Sequence, residues 1–213
     1  NDKAIEEYLI ALEIVRETGN IVGEAYNLGN IGYVLSKKGE LKDAKQHMVK
    51  AINIMLKEDD DIGLSDALNI LGSIHLMEGA VESAFKEFLK AFFIASKANH
   101  VRGMANAKMY MGSYFLAKEQ KIEALEEYGK ALEHAEAMGE KLLIAEINKN
   151  LSNLHEQYEE YKEAHAYFKK YEELKSQIYE GVKQHEISAT IADEKFKKSQ
   201  REKEELLIAS KEL

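Results

Sequence analysis

The side chains that could carry chemistry in this sequence are seven histidines and one run of four acidic residues. Zinc binding on a helix needs two histidines four residues apart, and no two histidines here have that spacing. The chain has no cysteine, no glycine-rich phosphate loop and no Gly-x-Ser-x-Gly turn. We therefore expect no catalytic centre, no metal site and no cofactor.

The acidic run, residues 58–61, admits two interpretations. A calcium loop would need alternating ligands, a glycine at the sixth position and a distant glutamate, and this segment lacks that spacing. Aspartates directly before a helix can instead cap its free N–H groups. We predict an acidic turn whose last aspartates cap the following helix.

A 40-residue repeat runs through most of the chain. Small residues at fixed positions let two helices approach closely, and larger residues fill the space around them. Each repeat is predicted to contain two helices. In the second helix an alanine recurs as Ala4, Ala44, Ala84, Ala124 and Ala164, and a large residue follows four positions later as Tyr8, Met48, Phe88, Tyr128 and Phe168. The first-helix small residue recurs as Gly32, Gly72, Gly112 and Ser152. This periodicity predicts a helical repeat array.

One repeat resembles the tetratricopeptide repeat (TPR) family closely. Its signature positions are occupied by Leu28, Ile31, Gly32, Leu35, Gly39, Ala44, Met48 and Ala51. The period of 40 exceeds the usual value of about 34, and there is no proline, so the second helix can run longer before its turn. The resemblance covers Asp2 to Tyr179 and implies an all-α, right-handed superhelical solenoid of antiparallel helix pairs.

This resemblance divides the chain into three parts. Residues 1–20 are predicted to be the second helix of a truncated repeat, and residues 21–179 four complete repeats. Residues 180–213 favour a helix, with a weak heptad pattern in which Val182, Ala189 and Phe196 form one seam. We expect this segment to cap the array as far as Ile191, then to extend as a linker and possible coiled coil that forms a homodimer.

Charge and hydropathy restrict the partners. The formal net charge of −9 disfavours nucleic acid and anionic membranes, and no segment is apolar enough to cross a bilayer. The chain starts at Asn1, inside a helix without its partner, which suggests an excised fragment. We expect a cytoplasmic protein, with an extracytoplasmic sensor domain as the open alternative.

The TPR resemblance also implies where a ligand binds. In that family the first helices line a concave groove that holds a protein or peptide. The matching positions here are Tyr26, Asn30, Tyr33, Asn69, Ser73, Leu76, Asn106, Met109, Tyr110, Ser113, Leu116, Glu146, Lys149, Asn150 and Asn153. Asparagines can bond a peptide backbone, and Tyr, Met and Leu offer side-chain pockets.

The resemblance also bears on a carboxylate clamp, and Phe93 departs from the repeat pattern. The carboxylate clamp of chaperone-binding TPR domains falls on Gly29, Tyr33, Asn106 and Tyr110, which provide no cation, so that role is not expected. Phe93 stands where other repeats have polar residues, so it is either a packing variation or part of an exposed partner surface, and we expect packing.

The tail from Tyr171 to Leu213 is similar to the linkers that join TPR arrays to output domains in bacterial sensor histidine kinases and diguanylate cyclases. This implies a non-catalytic sensory or interaction module of a larger bacterial signalling protein. Two alternatives stay open, a free-standing TPR adaptor and a peptide-responsive TPR regulator. An output domain after Leu213 would favour the first class, and an effector domain before Asn1 would favour the regulator.

Overall fold

The chain folds into α-helices arranged as successive antiparallel pairs. The computed structural model describes the backbone of residues 2–209, and their side chains except those of Glu186, Ile191 and residues 198–209. The helices are α1 (Asp2–Glu17), α2 (Ile21–Lys38), α3 (Leu41–Lys57), α4 (Asp61–Met77), α5 (Val81–Lys97), α6 (Val101–Ala117), α7 (Lys121–Met138), α8 (Lys141–Gln157) and α9 (Tyr161–Ala209). We call α2, α4, α6 and α8 the first helices, and α3, α5, α7 and α9 their second helices.

A single residue in the left-handed conformation ends each helix from α1 to α8, and these residues follow one another at intervals of 20. They are Gly19, Gly39, Asp59, Gly79, Asn99, Glu119, Gly139 and Glu159. At each site the next backbone N–H donates to the carbonyl five residues earlier, as Glu160 N does to His155 O at 2.8 Å. This closure satisfies terminal carbonyls and stops the helix without proline.

Side-chain caps begin two of the first helices. Asn20 Oδ1 accepts from Gly23 N, and Asp60 Oδ1 accepts from Gly63 N, both at 2.9 Å. The capping interpretation of the acidic run is therefore confirmed for Asp60, whose carboxylate is bonded to the first turn of α4.

The predicted small and large residues form the contact inside each pair. Ala44, Ala84 and Ala124 are fully buried, and so are the large residues Met48 and Phe88. The fourth complete pair deviates, since Phe168 is 47% exposed at the equivalent position. Phe93 is 71% exposed, so the expectation that it packs is wrong. It points outward from α5, whose buried residues include Phe88 and Ala91.

The last helix continues far past its partner. The next residue in the series of left-handed residues would be position 179, twenty residues after Glu159. Tyr179 is helical instead, so α9 does not end there. At 1.5 Å per residue, α8 is about 26 Å long and α9 about 74 Å. Among the described residues, α9 contacts α8 and no other helix. The described side chains from Tyr179 onward are all exposed, and Val182 and Ile187 are 54% and 44% exposed.

Candidate functional site

The first helices lie on the inner side of the stack. Helix α2 contacts α4, α4 contacts α6, and α6 contacts α8. By contrast, no two of α3, α5, α7 and α9 touch within residues 2–209. In a curved stack the elements on the inside are brought together and those outside are spread apart. The side chains of the first helices that point away from the pairs therefore face a concave surface.

A cleft of about 410 Å³ opens on this surface. Most of its lining comes from α2, α4 and α6, with one residue from α3 and one from α8. The lining residues are Tyr26, Gly29, Asn30, Tyr33, Met55, Gly63, Asp66, Ala67, Asn69, Ile70, Arg102, Asn106, Tyr110 and Glu146. The cleft thus combines aromatic side chains with amides and charged groups, the mixture that peptide-binding surfaces favour.

One position of the repeat supplies a lining residue from every first helix. Tyr26, Asp66, Asn106 and Glu146 follow one another at steps of 40 residues and all border the cleft. Because equivalent residues of stacked repeats lie side by side, they form a polar row across the helices. A bound chain that runs across the repeats could meet one of these side chains in each.

Aromatic side chains border the same cleft. Tyr26 and Tyr33 are 43% and 40% exposed, which leaves their rings free to contact a ligand. Tyr110 is partly buried, and its ring stacks on Phe88 with centroids 5.4 Å apart and planes 9° from parallel. Lys37 Nζ lies 5.2 Å from the centroid of the Tyr33 ring. The tyrosines at the rim are therefore accessible, whereas Tyr110 is held by the core.

Burial dominates the electrostatics of the cleft. It raises the pKa of Asp66 above the ordinary value, although nearby His100, Arg102 and Asn106 act in the opposite direction. Burial and the neighbouring Asp60 carboxylate raise the pKa of Tyr26 to about 12. Burial and then Glu146 raise the pKa of Tyr110 as well, so both phenols stay neutral at physiological pH.

Two buried oxygen atoms in the cleft have no hydrogen-bond partner among the described residues, Oδ1 of Asp66 and Oδ1 of Asn69. Asn69 is only 1% exposed, and its Nδ2 donates to Gly103 O at 3.2 Å. That bond ties α4 to α6 and fixes the side-chain amide. Two buried acceptor atoms beside the cleft therefore lack a donor among the described residues, although Asn106 donates a hydrogen bond to the Asp66 carboxylate.

The structure separates the fifteen groove residues predicted from the sequence into two groups. Seven line the cleft: Tyr26, Asn30, Tyr33, Asn69, Asn106, Tyr110 and Glu146. Eight do not: Ser73, Leu76, Met109, Ser113, Leu116, Lys149, Asn150 and Asn153. Whether the first group binds a ligand stays a prediction.

Met109 requires a correction, because it is 1% exposed and belongs to the hydrophobic core with Ala105 and Tyr128. Helix α6 contacts α4, α5, α7 and α8, so it has less free surface than a helix in a single pair. A methionine that looked available for binding in the sequence is therefore enclosed.

Other predicted groove residues are engaged within the fold. The Ser113 hydroxyl lies 3.0 Å from Tyr128 Oη, and the Ser73 hydroxyl donates to Ile70 O at 2.8 Å. Lys149 Nζ lies 5.7 Å from the centroid of the Tyr171 ring, beyond the cleft. Leu76 and Leu116 pack against hydrophobic clusters.

Two charged cleft residues were missed by the sequence analysis, Asp66 and Arg102. Asp66 stands exactly 40 residues from both Tyr26 and Asn106, so a strict count of the repeat would have found it. The residues 40 positions before and after Arg102 are apolar, Ile62 and Leu142, so the repeat pattern did not indicate a charged cleft residue there.

In the described part of the chain, no three side chains among His, Asp and Glu are grouped to hold a metal ion. The same residues include no helix whose length and apolar character would let it traverse a bilayer.

The stacked helix pairs and their inner cleft define a TPR-type helical repeat solenoid. The sequence matches no model of a known protein family and no curated protein sequence. Solved structures do share the fold. RapI in its apo form is similar with a TM-score of 0.70, 20% identity and 84% of this chain covered. Aspartyl phosphate phosphatase F from Bacillus subtilis has a TM-score of 0.67, 18% identity and 82% coverage.

BtubC from P. vanneervenii is a third similar structure, with a TM-score of 0.64, 14% identity and 83% of this chain covered. The chain spans 63% of the length of RapI, 44% of phosphatase F and 74% of BtubC. At these identities the likeness establishes a common fold.

Proposed function

We propose that the protein is a non-catalytic binding scaffold that holds a peptide or an extended protein segment in the inner cleft. The observation that carries this proposal is the polar row Tyr26, Asp66, Asn106 and Glu146, bordered by exposed tyrosine rings. Such a row offers one hydrogen-bonding side chain per repeat, while the rings offer apolar contact area. A peptide that crosses the first helices uses both.

The larger protein that we propose around this module is a bacterial signalling protein, a histidine kinase or diguanylate cyclase, in which the array is the sensory or interaction part. The long α9 supports this, because it projects beyond the array where an output domain could be attached. A free-standing adaptor and a peptide-responsive regulator are the alternatives. The gene sequence on both sides of this chain decides among the three.

We also propose that α9 forms a homodimer with the same helix of a second chain. Val182, Ile187 and Phe196 are 54%, 44% and 62% exposed along α9, which contacts no helix but α8 within residues 2–209. Helices in proteins gain most of their stability from packing, so a second copy would stabilise this segment.

The binding proposal is tested with Tyr33→Ala and Tyr26→Ala. Peptides are first selected from a random library on the immobilised full chain, and their affinities are then measured by calorimetry. Each substitution should weaken binding by about 1 kcal/mol or more, as the removal of an aromatic anchor does. Phe93→Ala is the matched control, because Phe93 is 71% exposed on a second helix outside the cleft. Equal affinities for all four proteins would place the binding surface elsewhere.

A further inference from the structure

Asp66 and Asn69 place two acceptor atoms on one face of α4, since residues three apart are neighbours on a helix. Both border the cleft, and in both the Oδ1 atom is buried without a hydrogen-bond partner among the described residues. A buried polar atom without a partner costs free energy, and a buried carboxylate costs more than a neutral group. Acceptor atoms of this kind are satisfied by a ligand that brings hydrogen-bond donors.

The charges around this pair are of both signs. Glu146 is a second carboxylate in the cleft lining, and Asp60 lies beside Tyr26 at its edge. Arg102 in the lining and the nearby His100 both attract the Asp66 carboxylate, and Asn106 donates a hydrogen bond to it. Arg102 is exposed, so its side chain can turn away from Asp66 when a ligand binds. A positively charged ligand group would therefore compete with His100 and Arg102 for the Asp66 carboxylate.

The aromatic lining suits the same ligand chemistry. Tyr26, Tyr33 and Tyr110 border the cleft, and aromatic faces attract guanidinium and ammonium groups through their quadrupoles. The Tyr33 ring has one cationic neighbour in the fold, since Lys37 Nζ lies 5.2 Å from its centroid.

We propose that Asp66 and Asn69 form a subsite for a guanidinium or ammonium group carried by the bound peptide, with arginine as the best fit. Its planar fork carries five N–H donors and can bond the Asp66 carboxylate and the Asn69 amide oxygen together. The inference rests on the proposed function, because it assigns a residue type to one position of the peptide. A free amine shares the same chemistry and is the other source that the experiment separates.

The experiment uses a library of acetylated, amidated pentapeptides, so that a side chain is the only source of positive charge. Peptides are selected on the full chain, and a selected arginine peptide is compared with its citrulline counterpart, which is neutral and of similar shape. Affinities are measured on the wild type, Asp66→Asn and Arg102→Gln. Asp43→Asn is the matched control, because it removes an exposed carboxylate of α3 that lies outside the cleft lining. L-arginine amide and spermidine are titrated separately.

Arginine or lysine should be enriched at one peptide position. On the wild type and on Asp43→Asn the arginine peptide should bind at least tenfold more tightly than the citrulline peptide. On Asp66→Asn that ratio should fall below threefold. Arg102→Gln should strengthen binding of the arginine peptide at least twofold, because it removes a like charge from the cleft.

The failures are distinguishable. Selected peptides that depend on Tyr33 but show no basic preference would overturn the subsite and leave the proposed function standing. The same holds if the ratio of affinities is unchanged in Asp66→Asn. Binding of L-arginine amide or spermidine that requires Asp66, with no peptide selected, would support the cation subsite and overturn the peptide as its source. If neither peptides nor amines bind, both the subsite and the proposed function are wrong.

Discussion

A Cβ atom on Gly112 would lie 2.6 Å from Cδ1 of Tyr128, the large residue of the same repeat. The glycine of the first helix and the ring of the second helix are therefore in direct contact, and a side chain at the glycine position would clash with the ring. Gly72 and Phe88 stand in the same relation one repeat earlier. In the last pair Ser152 replaces the glycine and its hydroxyl donates to Ala164 O at 2.9 Å, while Phe168 is 47% exposed instead of buried.

Gly112→Ala should destabilise the protein by about 1–3 kcal/mol, because the new methyl group overpacks the contact with Tyr128. The ring has little freedom to retreat, since it is 1% exposed and its hydroxyl lies 3.0 Å from Ser113 Oγ. Gly129→Ala is the matched control, with nothing within 4 Å of its new Cβ and a helical backbone. It should stabilise the fold by about 0.5–1 kcal/mol. Urea denaturation measures both, and equal midpoints would contradict the packing relation.

Glu159→Gly should stabilise the protein by about 0.5–1 kcal/mol. Glu159 has a φ of 60° in the turn between α8 and α9, a conformation that costs a residue with a Cβ atom but not glycine. Its side chain is exposed, so no packing is lost. Glu133→Gly, in the middle of α7, should instead cost about 1 kcal/mol. Thermal unfolding of the two variants should show midpoint shifts of opposite sign, and shifts of the same sign would refute the argument.

Asp66→Asn should raise the free energy of unfolding at pH 7 by about 0.5–2 kcal/mol, the usual range for single stabilising substitutions. Burial raises the pKa of Asp66 in the folded state, so the ionised carboxylate destabilises the fold. This penalty is complete above the folded-state pKa and disappears as the pH falls from there to the ordinary value of 3.8. The advantage of Asn should therefore vanish in acid. Denaturation at several pH values measures it, and a variant that is less stable than the wild type at pH 7 would contradict the prediction.

Phe196→Glu should weaken self-association if α9 pairs with a second copy. Phe196 is 62% exposed on α9 and belongs to the predicted heptad seam with Val182 and Ala189. A charge in such a seam opposes burial of the helix face. Sedimentation of the full chain at micromolar concentrations should show a dimer for the wild type and a larger monomer fraction for the variant. Lys195→Glu changes a neighbouring charge outside the seam and serves as control. A monomeric wild type would make the dimer proposal wrong.

Much of the fold could be read from local patterns. The alanines at steps of 40 and the large residues four positions later predicted the pair contacts, and burial of Ala84 and Phe88 confirms them. The exposed Phe93 was assigned wrongly, because a polar position in other repeats indicates an outward face more reliably than the residue type does. The extended C-terminal helix was also predicted, and α9 runs without a break from Tyr161 to Ala209.

The candidate site was predicted only in part, and the reason is geometric. Tyr26, Asn106 and Glu146 follow the repeat and line the cleft, as the family resemblance implied. Met109 was enclosed by neighbouring helices, and Arg102 reached the cleft from a position without periodic signal. Periodicity tells which face of a helix a residue occupies, but not how deeply the next helix covers that face.

By itself the sequence determined the repeat period, the residues inside each pair, the caps at Asn20 and Asp60 and the absence of a proline stop. These are local properties, because they depend on residues within one helix or one turn. Only the tertiary structure decided that Asp66 joins Asn69, Tyr33 and Glu146 in one cleft, and that the Oδ1 atoms of Asp66 and Asn69 have no donor among the described residues. That outcome depends on the distances between the first helices on the inner side of the stack. Those distances are set by the contacts between all the helix pairs together.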